Sequence, residues 1–97
     1  MNSTNERKVI ITGIGGQGIV FLTRLLSNTA LALGRGVVVS ETHGMSQRGG
    51  SVISHLKING SDAPLIQRGS ADVIIAMDPA EAVQNLDFMR RGGRVFV

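Results

Sequence analysis

The stretch KVIITGIGGQGIV, Lys8 to Val20, decides how this chain folds. Val9, Ile10, Ile11 and Thr12 are β-branched, and the run is apolar enough for a strand buried on both faces. It passes without a break into Gly13-Ile14-Gly15-Gly16-Gln17-Gly18, a G-x-G-x-x-G spacing. From Gln17 to Leu33 the period changes from two to about 3.6. Ile19, Leu22, Leu26, Ala30 and Leu33 line one helical face, and Phe21 and Leu25 widen it, so cover on more than one side is expected. Gly34 and Gly36 stop the helix. Strand, glycine turn and helix in that order predict the first βα unit of an α/β sheet.

The rest of the chain extends that unit. VVVSE, Val37 to Glu41, reads as a second buried strand, followed by the polar, glycine-rich segment THGMSQRGG. SVISHLKI, Ser51 to Ile58, alternates: Val52, Leu56 and Ile58 share one face with Ser54, and Ser51, His55 and Lys57 share the other with Ile53. This predicts a half-exposed strand near a sheet edge. NGSDAP is turn material. DVIIAM, Asp72 to Met77, is a further continuous buried strand. Asp78 then reads as an N-cap, Pro79 as the first helical position and Glu81 as the partner in a capping box. That last helix is expected to present Ala82, Val83, Leu86 and Met89 inward. Arg90 and Arg91 would lie at its negative end, and Gly92 and Gly93 would stop it. RVFV begins another strand.

The expected order is β-α-β-β-β-α-β, a Rossmann-like α/β fold with a mostly parallel sheet flanked by helices. Residues 1–97 form a single domain, expected to be the first part of a longer one, because a domain cut after that strand leaves an open edge. An exposed edge also offers a route to self-association.

Composition narrows the function. Hydrophobic residues make up 42% and aromatics 3%, so the core is aliphatic. Basic residues give a formal charge of +3, but they are scattered and lack interleaved aromatics, which argues against nucleic acid. With no cysteine, the chain has neither disulfides nor thiolate ligands for zinc or iron–sulfur clusters. MNSTNERK lacks the apolar run of a signal peptide, and no stretch approaches a membrane span. A cytoplasmic protein without membrane contact is expected.

Two loops are candidate sites. A glycine turn opening a helix presents unpaired N–H groups at the positive end of the helix dipole, which suits a phosphate. Gly13, Gly15, Gly16, Gln17 and Gly18 form that turn, and Glu41 falls about where a ribose-binding carboxylate is expected. The same glycines also serve helices that merely pack tightly on a strand. A stand-alone NAD or FAD binder and a purely structural interaction module therefore both stay open. The second loop, Ser40 to Ser51, leaves the carboxyl end of a strand and carries Glu41, His43, Gln47 and Arg48; Arg48 has the planar fork suited to a phosphate or carboxylate. No nucleophile–base set and no metal cluster can be assembled by spacing.

Taken together, GIGGQGIV and SETHGMSQRGGSVISHLKI resemble the gamma-type domain of 2-oxoacid:ferredoxin oxidoreductases, and ADVIIAMDPAEA continues the resemblance through the chain. Gly44-Met45-Ser46-Gln47-Arg48 stands where pyruvate- and 2-oxoglutarate-specific branches typically carry Pro-Glu-Ala-Arg-Gly-Gly. The resemblance is therefore closest to the indolepyruvate branch, in its small subunit. It implies oxidative decarboxylation of a 2-oxoacid to an acyl-CoA, with electrons passing to ferredoxin. Thiamine diphosphate and the iron–sulfur clusters would reside on a large catalytic partner subunit, and this chain would be a non-catalytic subunit that helps to place CoA. By the same resemblance Arg24, on the helix after the glycine loop, is a candidate CoA contact together with Arg48. The family domain is about twice this length.

Overall fold

The structure, a computed structural model, describes residues 6–15, 18–43, 50–60 and 63–97. Its elements are β1 (Arg7–Ile14), α1 (Ile19–Ala32), β2 (Val37–His43), β3 (Ser51–Ile58), β4 (Ala71–Ala76), α2 (Pro79–Gln84), a 3₁₀ turn (Leu86–Phe88) and β5 (Met89–Phe96). The β-α-β-β-β-α-β order is the one expected.

The strands form one sheet in the order β2-β3-β1-β4-β5. β1, β4 and β5 pair in parallel, while β3 runs antiparallel to both β1 and β2. Four of the five strands thus run the same way, as a mostly parallel sheet requires, and β3 alone is reversed. Residues 44–50 are too few for a crossover, so β3 has to return antiparallel beside β2. It then fills the place between β2 and β1.

That position corrects the reading of β3 as a half-exposed strand near the edge. Leu56 is fully buried, and Val52 and Ile58 join it in a cluster with Val9, Ile11 and Ile19, against α1. The supposedly polar face is covered too: Ser51, His55 and Lys57 are all buried. On that face Ile53 packs with Ile10, Ile66, Ala71, Ile74 and Phe88. Ile66 lies in the β3–β4 connection and Phe88 in the 3₁₀ turn, neither of which an alternation pattern can anticipate.

α1 starts at Ile19, two residues later than expected, with Gly18 as a left-handed N-cap at φ +85°. Ile19 and Ala30 are buried and Leu22 and Leu26 half-buried, but Leu33 is 71% exposed. Phe21 and Leu25 are exposed rather than covered on a second side, at 71% and 50%. Gly34, at φ +80°, ends the helix as expected.

α2 is much shorter than expected. Asp78 is its N-cap, accepting from the Glu81 N–H at 2.9 Å, and Pro79 opens it. It stops at Gln84, where Asn85 turns its amide back to donate to the Glu81 carbonyl at 2.9 Å. Phe88 then enters the core, and Met89 already begins β5. Val83 is 71% exposed rather than inward-facing. Arg90, Arg91, Gly92 and Gly93 do not end a helix. They form a bulge in β5, between the pairs Ala71–Met89 and Val73–Arg94. Gly92 has φ +80°, and Gly93 lies where a Cβ would approach the Ala71 and Arg90 carbonyl oxygens to 3.1 Å. Arg90 meets Asp72 instead of a helix terminus.

Candidate functional site at the glycine loop

The two glycine loops meet at the carboxyl end of β1, the side of an α/β sheet where ligands are bound. Gly13 is the penultimate residue of β1, buried and opposite Val52 of β3. One residue past the strand, the Gly15 N–H donates to the Gly50 carbonyl at 2.8 Å. The first loop is therefore fastened to the last residue of the second. Gly18 needs glycine for its left-handed backbone. Gly15 is exposed, and among the described residues a Cβ there would meet only the Gly50 oxygen, at 3.7 Å. Among the described residues no side chain caps the start of α1, and its first turn has no acidic residue.

A buried polar network holds this junction from below. Thr12 and Ser51 donate their hydroxyls to the same Glu81 carboxylate oxygen, at 2.6 and 3.1 Å. Asn85 donates to the Thr12 hydroxyl at 3.1 Å, and the Met77 N–H donates to the Thr12 carbonyl at 2.9 Å. Thr12, Ser51, Glu81 and Asn85 are all buried. The end of β1, the start of β3 and the start of α2 are thereby tied around one carboxylate. Sequence reasoning assigned Glu81 to helix capping and missed this role. The available signal was Thr12, a polar residue at the end of a buried run, which has to find a partner.

The remaining candidates separate. Arg24 lies on the exposed side of α1, about 9 Å along the axis from Gly18 at the usual rise per residue. Gly16, Gln17, Gln47 and Arg48 lie outside the described residues. His43 is exposed at the end of β2. His55 is buried rather than on a polar face. Its Nδ1 accepts from the Ile66 N–H at 3.1 Å, its Nε2 is 3.1 Å from the Thr42 hydroxyl, and Phe88 stands edge-on to the ring. Burial, and to a lesser degree the Lys57 charge, lower its pKa below the ordinary 6.5.

The geometry departs from a dinucleotide fingerprint in two ways. Glu41 does not sit on the neighbour of β1: β3 intervenes, displacing β2 by two strand spacings, about 10 Å. The Gly15 N–H, which would face a pyrophosphate, is taken by Gly50. For iron–sulfur clusters, the donor set does not fit. The chain has no cysteine, and the described residues contain no group of three His, Asp or Glu able to hold a metal ion. No helix among the described residues is long and apolar enough to cross a membrane.

Comparison with known proteins places this architecture. The chain is 43% identical over 89 residues to the indolepyruvate oxidoreductase subunit IorB of Archaeoglobus fulgidus, covering 92% of this chain and 44% of that protein. It thus spans a little under half the length of the curated relative. Its fold matches the gamma subunit of a keto/oxoacid ferredoxin oxidoreductase from Geobacter sulfurreducens, with TM-score 0.68 and 22% identity, over 93% of this chain and 49% of that one. It also matches a 2-oxoglutarate:ferredoxin oxidoreductase from Magnetococcus marinus, solved with 2-oxoglutarate, coenzyme A and succinyl-CoA bound. There the TM-score is 0.63 at 23% identity, over 84% of this chain and 14% of that one. The family described as pyruvate ferredoxin/flavodoxin oxidoreductase matches residues 8–97, and the chain belongs to that family.

Proposed function

We propose that this chain is part of the small, non-catalytic subunit of an indolepyruvate-type 2-oxoacid:ferredoxin oxidoreductase. The carrying observation is the junction of the two motif loops, Gly15 to Gly50, at the carboxyl end of β1. In this reading the junction presents the exposed Gly15 and the uncapped start of α1 to CoA or to the large subunit. An exposed glycine with no packing reason among the described residues suits close approach by a ligand or partner backbone. Gly16, Gln17, Arg24 and Arg48 are the proposed polar and close-contact residues around it. Coenzyme A is bound in the Magnetococcus neighbour, whose fold this chain shares. The 43% identity to an indolepyruvate subunit favours an arylpyruvate substrate over pyruvate or 2-oxoglutarate.

Thiamine diphosphate and the iron–sulfur clusters would belong to the large subunit, since this chain has no thiolates to ligate a cluster. This subunit would then act by assembly and by placing CoA, and ferredoxin would be met only through the partner. The test is co-expression, in the full-length subunit, with the large cluster-bearing subunit, followed by assay of indolepyruvate-dependent ferredoxin reduction. A stable complex that needs CoA for turnover is expected. Arg48→Ala should lower subunit association or turnover while leaving the melting temperature near wild type. Failure of the two subunits to copurify sinks the proposal. Calorimetric binding of NAD or FAD by the chain alone would revive the dinucleotide alternative.

A further inference from the structure

We infer that Glu81 is a positioning residue for coenzyme A: through Thr12 and Ser51 it fixes the Gly15–Gly50 contact in the arrangement that the ligand meets. The role rests on the reading that CoA is received at this junction, and it names the side chain on which the geometry there depends. Glu81 is the one buried carboxylate among the described residues, 1% exposed. A carboxylate taken out of water needs strong partners in return. Those partners are not spread through the core. They are the hydroxyls of Thr12, three residues before Gly15, and of Ser51, next to Gly50.

Ser51 is the more direct lever. The carbonyl that accepts from the Gly15 N–H belongs to the planar peptide group joining Gly50 to Ser51. Gly50 has a left-handed backbone, φ +75°, and no side chain, so it does not restrain that plane itself. The Ser51 side chain, 3.1 Å from the Glu81 carboxylate, restrains it from the other end. Thr12 holds β1 in the same way: its hydroxyl donates to Glu81 and accepts from Asn85, and its carbonyl accepts from the Met77 N–H. Both segments that meet at Gly15 and Gly50 therefore hang from one carboxylate oxygen. Apolar packing holds strand ends together without fixing a direction, whereas two hydrogen bonds to one atom do fix it. Direction matters where N–H groups at a glycine turn and a helix start have to face an anionic ligand. A loosened junction is competent for only a fraction of the time, and the apparent dissociation constant rises by the inverse of that fraction. Saturating CoA draws the junction back to its competent arrangement. A positioning role thus raises the KM for CoA and leaves kcat in place, which a loss of stability alone does not do.

The test uses the full-length small subunit, alone and in complex with the large subunit. Glu81→Leu removes the acceptor, Ser51→Ala removes one donor, and Glu81→Gln keeps a carbonyl oxygen in the acceptor's place. In indolepyruvate-dependent ferredoxin reduction, Glu81→Leu should raise the KM for CoA about tenfold and Ser51→Ala about fourfold. For both, kcat and the KM for indolepyruvate should stay within about twofold of wild type, and Glu81→Gln should bring the KM for CoA back to about the wild-type value. Gly93→Ala, at the β5 bulge, destabilises for an unrelated reason and should leave the KM for CoA unchanged. In the small subunit alone, the Gly15 amide should exchange its hydrogen about tenfold faster in Glu81→Leu and Ser51→Ala, and at the wild-type rate in Gly93→Ala. Where Glu81→Leu does not fold, Ser51→Ala decides both measurements. Glu81 loses this role if Ser51→Ala leaves the KM for CoA unmoved, if kcat falls in place of a rise in KM, or if Gly93→Ala raises KM as much. A wild-type complex that turns over without CoA refutes the underlying reading and the ligand named here. Unchanged Gly15 exchange overturns the positioning role whatever the ligand.

Discussion

Glu81 is the residue on which most of this structure turns. Its carboxylate oxygen takes two hydroxyl donors from two different strands, and its carbonyl takes the Asn85 amide. Glu81→Ala would leave the buried Thr12 and Ser51 hydroxyls without that acceptor. Unsatisfied buried groups cost about 1–3 kcal/mol each, so a loss of about 3 kcal/mol is expected, read as a lower urea midpoint. If the midpoint does not move, the network is not holding the junction. His55 gives a pH signature. Its folded pKa is depressed, so the folded chain resists a proton that the unfolded chain accepts. Its contribution to stability is complete above the unfolded value of 6.5 and declines as pH falls through and below it. His55→Gln, which can still accept from Ile66, should flatten the fall in melting temperature between about pH 7 and 5. An unchanged slope would locate the pH dependence elsewhere.

At the scale of elements, the start of α2 was legible and its end was not. Asp78-Pro79 announced the start of α2 through local chemistry, and Asp78→Ala should cost about 1 kcal/mol in thermal or urea unfolding. The end of α2 depended on Asn85 reaching Thr12, some seventy residues away in sequence, and on Phe88 finding Ile10 and Ile74. No local pattern contains those contacts. The paired glycines after Arg91 looked like a helix stop because glycine serves a C-cap and a bulge alike. The bulge gives Gly93 a sharper requirement than a cap would. Gly93→Ala drives a Cβ against the Ala71 and Arg90 carbonyls, which are backbone and cannot swing away. About 2 kcal/mol of destabilisation is expected, as in other overpacked sites. A neutral result would mean that β5 can slide along β4.

At the scale of the whole molecule, the radius of gyration is 12.8 Å, close to the roughly 12.5 Å of a compact domain of this length. The described residues are thus compact, yet they leave apolar surface at Phe21, Leu25, Leu33, Phe96 and Val97. β2 and β5 are the edges of the sheet. β5 carries Arg90, Arg91 and Arg94, whereas β2 presents the apolar run Val37 to Val39 before its one charge at Glu41, and an apolar stretch of edge invites pairing with another chain. Val39→Lys on β2 should therefore reduce concentration-dependent association in analytical sedimentation with little change in stability. Equal association by wild type and variant would exonerate that edge.

The sequence by itself determined the α/β class, the number and order of strands and helices, the strand–glycine–helix unit and the pairing of motifs that marks the family. These are local properties: β-branched runs, helical periodicity, caps and glycines act over a few residues. The burial of β3, the mixed sheet and the joining of the two loops through Gly15 and Gly50 were decided only in three dimensions. So were the gathering of Thr12, Ser51, Glu81 and Asn85 and the displacement of Glu41 from β1. Each depends on which strand lies beside which, and that order is set by connection length and by core contacts between segments far apart in the chain.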